Sequence, residues 1–230
     1  MRRLRYLSVA WVAVALLALS GFQPSAEARE GWYVGGGLAD QSVSGGLDGN
    51  KDFTNGTGTV VILAGKPDAG TGFDVVVGFG INKILSVEGL VADTSHTASH
   101  SDVTFKSKMD LLTTLIGVKA AYQPTDNIEI YGRAGIATAT ATYAKYALHG
   151  TTTSGTFTFT STSEASFDGS GFGVGGGAEY MIDHVGLSAN YSMLSVTFDQ
   201  AHGGSTSGKL PHELSSTIGQ FDFNVTYYFK

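Results

Sequence analysis

Hydrophobic and polar residues alternate along most of this chain, and the alternation is strictest at its end. Between Gln220 and Lys230, one face carries Phe221, Phe223, Val225, Tyr227 and Phe229, and the other carries Gln220, Asp222, Asn224, Thr226 and Tyr228. A period of two sends successive side chains to opposite sides of a β-strand, so this stretch reads as a strand with a different solvent on each side. Seven earlier stretches repeat the pattern, at 31–39, 71–81, 83–93, 110–122, 128–143, 171–181 and 185–198. In the first, Trp32, Val34, Gly36 and Leu38 oppose Tyr33, Gly35, Gly37 and Ala39. In the sixth, Phe172, Val174, Ala178 and Tyr180 oppose Gly173, Gly175, Gly177 and Glu179.

The connections alternate as well. Ile81-Asn82-Lys83, Gln123 to Asn127 and Ile182-Asp183-His184 are short and carry the Asn, Asp and Pro chemistry of tight turns. The gaps at 40–70, 94–108, 144–170 and 199–215 are long, polar and rich in Gly, Ser and Thr. Within the first, Thr59 to Gly65 is apolar and reads as a strand extension. Within the third, Thr156-Phe157-Thr158-Phe159-Thr160 still alternates and reads as a hairpin projecting beyond the sheet. An even number of strands with both ends on the short-turn side predicts an all-β fold, an eight-stranded antiparallel up-and-down barrel.

A soluble barrel points its apolar face inward, and a transmembrane barrel points it at lipid. Three features favour lipid. The faces opposite the apolar ones are mostly Gly, Ser and Ala with few ionised groups, which suits a crowded lumen better than a wet surface. Aromatics collect at the short-turn ends (Trp32, Phe79, Tyr122, Tyr180, Tyr227 and Phe229), as in an interfacial girdle. The closing strand is itself aromatic. The strands also reach or exceed the ~9–11 residues that cross a bilayer on a tilt. Closure follows, because an open sheet edge in hydrocarbon leaves backbone groups unpaired.

Composition narrows the picture further. The 230 residues suit a single domain, and the absence of cysteine removes disulfides and thiolate metal sites. Arg2, Arg3 and Arg5, an apolar run from Leu7 to Leu19 and Ala26-Glu27-Ala28 form a cleavable signal peptide over 1–28, ahead of a barrel domain over 29–230. The whole chain carries a net charge of −6, and losing three arginines with the leader makes the mature protein more acidic. An acidic chain does not suit nucleic acid as a partner.

The leader, the Gly-Trp-Tyr-Val-Gly-Gly-Gly opening at 31–37, the glycine-rich strand ending Ala-Glu-Tyr at 178–180 and the Val-Thr-Tyr-Tyr-Phe ending at 225–229 resemble the small outer-membrane β-barrel superfamily. That group includes OmpA-like transmembrane domains, opacity-type adhesins and OmpW-like proteins. The resemblance covers essentially the whole mature chain, and departs from the pattern where Lys230 follows the final aromatic. It implies a Gram-negative outer-membrane location, short periplasmic turns, four long external loops, contact with outer-membrane lipid and insertion by the barrel-assembly machinery. The expected role is structural or surface-interacting, as an adhesin-like or envelope-integrity protein acting through its loops on host or neighbouring-cell surface molecules. A monomer is expected. The alternative is an OmpW-like narrow channel or transporter for small solutes.

Asp74, Glu88, Lys119, Glu129, Arg133, Glu179 and Asp222 fall on the inward faces. Charges in a narrow, low-dielectric space pair with one another. Glu88, Glu179, Arg133 and Lys119 could form the ion-pair plug of a gated pore. The simpler reading is a structural network, because eight strands leave an interior just wide enough for side chains. Two cations against five carboxylates would make any leak prefer cations.

Other motifs carry less. The glycines at 171–177 lie inside an alternating strand rather than opening a helix, so they do not cradle a nucleotide. His96 and His100, near Asp93 and Asp102, read as solvated loop histidines rather than a metal site, as do His202 and His212. No histidine stands beside a serine and a carboxylate on one strand face, so no catalytic site, metal or cofactor is expected.

Overall fold

The computed structural model describes residues 30–229 apart from breaks at 48–49, 56–57, 64–65, 100–105, 144–145, 153–154, 162–164 and 203–207. Side chains are described outside 48–66, 99–107, 144–165, 201 and 203–212. The expected leader, His100 and Asp102 lie outside these residues.

Among the described residues thirteen strands follow in order: β1 (Gly31–Gly45), β2 (Asn50–Asn55), β3 (Gly58–Leu63), β4 (Lys66–Pro67), β5 (Gly70–Gly80), β6 (Leu85–Ser99) and β7 (Lys106–Thr125). Then come β8 (Ile128–Tyr143), β9 (Tyr146–Thr152), β10 (Gly155–Ser161), β11 (Ala165–Ile182), β12 (Val185–His202) and β13 (Gly208–Tyr228). Eight of them, β1, β5, β6, β7, β8, β11, β12 and β13, form an antiparallel ring. The ring closes through β1 against β13 and β6 against β7. Every one corresponds to an expected strand, and β8 matches its expected bounds at both ends.

The expected faces hold. On β1, Trp32 and Leu38 point out while Tyr33 and Ala39 are buried. On β13, Gln220, Asp222, Asn224, Thr226 and Tyr228 are all buried. The outward apolar run ends at a similar level around the ring, and Asp, Ser and Thr take over. Leu38 gives way to Asp40, Val91 to Asp93, Ile136 to Thr138, Met193 to Ser195 and Phe221 to Gly219 and Thr217. A closed sheet with an apolar belt outside is the arrangement a bilayer requires.

Several strands run further than the sequence indicates. β6 reaches Ser99, β7 begins at Lys106, β11 at Ala165 and β13 at Gly208, so the connections expected at 94–108, 144–170 and 199–215 are partly barrel wall. The reason lies in the interior. Beyond the belt the strands enclose Met109, Leu111, Tyr143, Phe167, Leu194, Phe198 and Ile218, all fully buried. There most inward side chains are apolar, although Thr94, His96 and Ser216 also point in, and the outward ones are polar, as in a water-soluble barrel. Register shifts between Asp168 and Gly169 and between Phe198 and Gln200 fall in this extension. Bulges of this kind bend a sheet so that it can close.

The apolar Thr59–Gly65 stretch is not an extension of a barrel strand. It supplies β3, which pairs with β2 and also with β9 of a different loop. The order β10-β9-β3-β2 makes a second, four-stranded sheet, so the first and third long loops are joined by backbone hydrogen bonds. The projecting hairpin expected at Thr156–Thr160 is β9 with β10. At the opposite end the turns are tight. Asn82 Oδ1 accepts from the backbone N–H of Ile84 and Leu85 at 2.8 and 2.9 Å, which starts β6 at Leu85 rather than Lys83. Asp183 takes φ of +54° in the turn before β12, a conformation that Asp tolerates.

Candidate functional site

The inward side chains of the belted half form one polar layer. Asp74 projects from β5, Glu88 from β6, Lys119 from β7, Glu129 and Arg133 from β8, Glu179 from β11 and Asp222 from β13, all buried. Lys119 Nζ lies 2.8 Å from Glu129 Oε1 and 3.6 Å from Glu179 Oε2. It also sits 4.0 Å from the centroid of the Tyr131 ring, a cation–π contact strengthened by the dry surroundings. Arg133 Nε lies 3.2 Å from Glu88 Oε1. The register makes these meetings possible, since Lys119 stands opposite Arg133, and Glu179 opposite Glu129.

Three tyrosines bind the layer together. Tyr33 donates to Glu88 Oε2 at 2.9 Å, and Tyr228 donates to Glu179 at 2.9 Å. Their rings lie 5.2 Å apart. Arg133 donates to the Tyr131 hydroxyl at 3.3 Å, and Tyr131 in turn donates to Asn190 Oδ1. Asp222 accepts from Asn190 at 2.5 Å and from Asn224 at 2.8 Å. Glycines make room for these groups. The Tyr33 ring lies over Gly78, Asn190 over Gly177, Glu179 over Gly186 and Asn224 over Gly37, so a side chain at any of the four would collide. The glycine-rich inner face is thus the space that large polar side chains of neighbouring strands occupy.

A second polar tier sits above. Gln41 donates to Thr113 and Gln220, each at 2.8 Å, and accepts from Thr94 at 2.7 Å. His96 completes the tier and corrects the sequence reading. It is not a solvated loop residue; it is buried on the inner face of β6, packed against Gly70. Its Nδ1 donates to the Asp68 carbonyl at 2.8 Å, and its Nε2 is 2.9 Å from the Thr94 hydroxyl. Asp93, its neighbour in sequence, faces outward. His202 is exposed and lies 3.0 Å from Asp168. His212 belongs to β13, its side chain outside the described set. Among the described residues no three His, Cys, Asp or Glu side chains gather as a metal site.

Tyr131, Gln41, Thr94, Thr113 and Asn190 did not stand out in the sequence as site residues. Their signal was parity, because Tyr131, Thr94 and Thr113 share the inward face of their strands with an expected charge, Gln41 with Tyr33, and Asn190 with Ser188 and Ser192. The six expected girdle aromatics point outward near the short-turn ends, while Phe73, Phe172 and Phe221 are exposed further along the wall. Trp32 pairs across the strands with Phe79, their ring centroids 5.3 Å apart, and Tyr227 lies 5.1 Å from Phe229. Tyr122 and Tyr180 are exposed at the same end, at 70 % and 50 %.

A ring of eight antiparallel strands, greasy outside and hydrogen-bonded within, defines a small transmembrane β-barrel. The chain belongs to the outer membrane protein beta-barrel domain family, which it matches over residues 11–229. That family places it in the Gram-negative outer membrane, with short turns toward the periplasm and long loops outside. Among solved structures, it is similar to the outer membrane protein OprG from Pseudomonas aeruginosa. The two share 13 % identity and a TM-score of 0.56 over 88 % of this chain and 97 % of that one. It is also similar to Ail, the attachment invasion locus protein of Yersinia pestis, at 15 % identity and a TM-score of 0.46 over 87 % and 99 % of the two chains. Neisserial surface protein A matches at 16 % identity and a TM-score of 0.49 over 87 % and 98 %. At these identities the likeness is one of fold. A search of curated proteins finds no match.

Proposed function

We propose that this protein is a non-enzymatic, non-conducting monomeric barrel whose external loops are its working surface, in a structural or surface-interaction role. The observation that carries the reading is the filling of the interior. Above the charged layer, Leu111, Tyr143, Phe167, Leu194, Phe198 and Ile218 close the extracellular half with packed apolar side chains. Thr94 and His96, the polar groups beside that packing, are already bonded to Gln41 and the Asp68 carbonyl, so an ion passing there would leave water without finding a free polar partner, which is prohibitive. The charged layer then acts as a structural network rather than a gate. The outward aromatics Trp32, Phe79, Tyr122, Tyr180, Tyr227 and Phe229 serve as the periplasmic-side girdle.

Outside, the β2–β3 and β9–β10 hairpins share one sheet, which gives the loops a defined shape rather than four independent tips. Ordered loops on a rigid scaffold are where binding resides. The partners that suit this surface are molecules of a host or neighbouring cell. Liposome swelling separates this reading from an OmpW-like narrow channel. Vesicles holding the folded protein should swell in small sugars no faster than protein-free vesicles, and solute-specific swelling would favour the channel. Cells displaying the protein should adhere to a surface that cells lacking residues 50–63 and 146–161 do not.

A further inference from the structure

The external sheet has two edges, and they are not alike. In the order β10-β9-β3-β2, β2 lies at one edge and β10 at the other. β2 carries Lys51 and Asp52 and approaches β13 of the barrel. Charges on an edge strand discourage further pairing. β10 has neither defence. Its seven residues, Gly155–Ser161, include no charge and no proline, and among the described residues it pairs with β9 alone. One side of its backbone thus keeps N–H and C=O groups that no described strand takes up, which is a template for another strand.

The residues of β10 define which strand fits. Thr156-Phe157-Thr158-Phe159-Thr160 reads the same from either end. Set antiparallel against a second copy of itself, about a two-fold axis through Thr158, it places Thr158 opposite Thr158, Phe157 opposite Phe159 and Thr156 opposite Thr160. In an antiparallel strand, alternate residues aim both backbone groups to the same side. This register pairs even positions with even and odd with odd, so each outward N–H of one copy meets an outward C=O of the other. A slip of one residue breaks that match. Aromatic–aromatic and threonine–threonine neighbours are favourable cross-strand pairs, and no like charges meet.

We propose that β10 is a self-recognition edge, which pairs with β10 of a second copy of this chain on a facing cell and joins two external sheets into one. This rests on the reading of the loops as the working surface and names the neighbouring-cell molecule they meet. Antiparallel pairing sends the two projecting hairpins, and the barrels behind them, in opposite directions. Barrels in one membrane all point the same way, so the partner comes from a facing membrane, and each barrel stays monomeric in its own. The contact is isologous and closes at two copies, because the other edge of the sheet is the charged β2. A pair of seven-residue strands is smaller than the ~1,200–2,000 Å2 of a stable interface, so single contacts are transient and many copies act together.

The test mixes two differently labelled populations of cells displaying the full chain. They should co-aggregate, and should not recruit cells without it. Thr158→Lys sets like charges opposite each other at the symmetry axis and should lower co-aggregation at least about tenfold at equal levels of folded surface protein, and Thr158→Asp should do the same. Mixing Thr158→Lys cells with Thr158→Asp cells should restore clumping, because opposite charges then meet. Recruitment of cells without the protein, undiminished clumping by either variant alone, or no recovery in the mixture overturns the pairing. Attachment to other surfaces is measured alongside, with cells lacking residues 50–63 and 146–161. If loop-dependent attachment persists in Thr158→Lys while the mixture fails to recover, the self-pairing falls and the loop reading stands. If the deletion changes neither attachment nor clumping, both fall.

Discussion

Within the apolar belt the barrel is charged and hydrogen-bonded inside, whereas beyond it the same eight strands enclose Leu111, Phe167, Leu194, Phe198 and Ile218 and expose Ser, Thr and Asp. The strands do not change their pairing at the boundary; the solvent outside changes. A side chain facing lipid must be apolar, which leaves the inner face for polar groups that satisfy one another. A side chain facing water can be polar, which frees the inner face to pack as an ordinary core. The belted half is therefore held together by ion pairs and hydrogen bonds across the lumen, and the outer half by apolar burial.

The largest expected effect tests the first of these two interiors. Lys119→Ala leaves Glu129 and Glu179 buried and facing each other, and should destabilise the folded protein by about 3–5 kcal/mol in urea unfolding from vesicles. Replacing Lys119, Glu129 and Glu179 together by Met, Leu and Leu should recover most of the loss, because the destabilisation comes from uncompensated charge rather than lost attraction. Neither variant should make vesicles permeable, since the apolar half remains in place. Permeability in Lys119→Ala would mean that the charged layer alone seals the barrel.

The boundary between the halves was present in the sequence as a change of phase. On β12, the apolar positions run Val185, Leu187, Ala189, Tyr191, Met193, then continue as Leu194, Val196 and Phe198. On β8, Ile136 is followed by Ala137, Ala139, Ala141 and Tyr143. Two adjacent apolar residues mark the point where the greasy face moves from outside to inside. Strand number, faces and inward charges were legible because period-two alternation fixes parity, and parity fixes side. The outer strands were not, because Ser- and Thr-rich stretches such as 165–170 alternate between small polar and apolar residues too weakly to stand apart from loop. His96 was misread for the same reason. Its Ser-His-Thr setting looks like a loop until the inward parity of Glu88, Leu90, Ala92 and Thr94 is carried two residues on. Pairing of β3 with β9 joins residues from different loops, and no local pattern announces it.

Arginine placed along the outer face of β12 should locate the boundary by its energetics. Ala189 faces out within the belt, between Leu187 and Tyr191. Ala189→Arg sets a charge against acyl chains and should cost about 2–4 kcal/mol, read from the urea midpoint in vesicles. In micelles, where detergent deforms around the side chain, the loss should shrink. An equal loss in both media would mean that the arginine disturbs packing rather than lipid contact.

Ser195 is three turns of the pleat further along the same outer face, one step past Met193, and exposed. Ser195→Arg should change stability by no more than about 0.5 kcal/mol, the range of ordinary surface substitutions. The neighbouring Leu194 is only 2 % exposed, so Leu194→Ala should cost about 2–5 kcal/mol although it adds no charge. That ordering, with the arginine tolerated and the alanine not, is opposite to what a strand still inside the membrane would give. There the outward arginine would be the damaging change and the inward face would be polar. Measured together in one set of vesicles, the two substitutions decide on which side of the interface residues 194 and 195 lie. If Ser195→Arg proves as costly as Ala189→Arg, the belt extends past Met193 and the apolar interior at Leu194 lies within the bilayer.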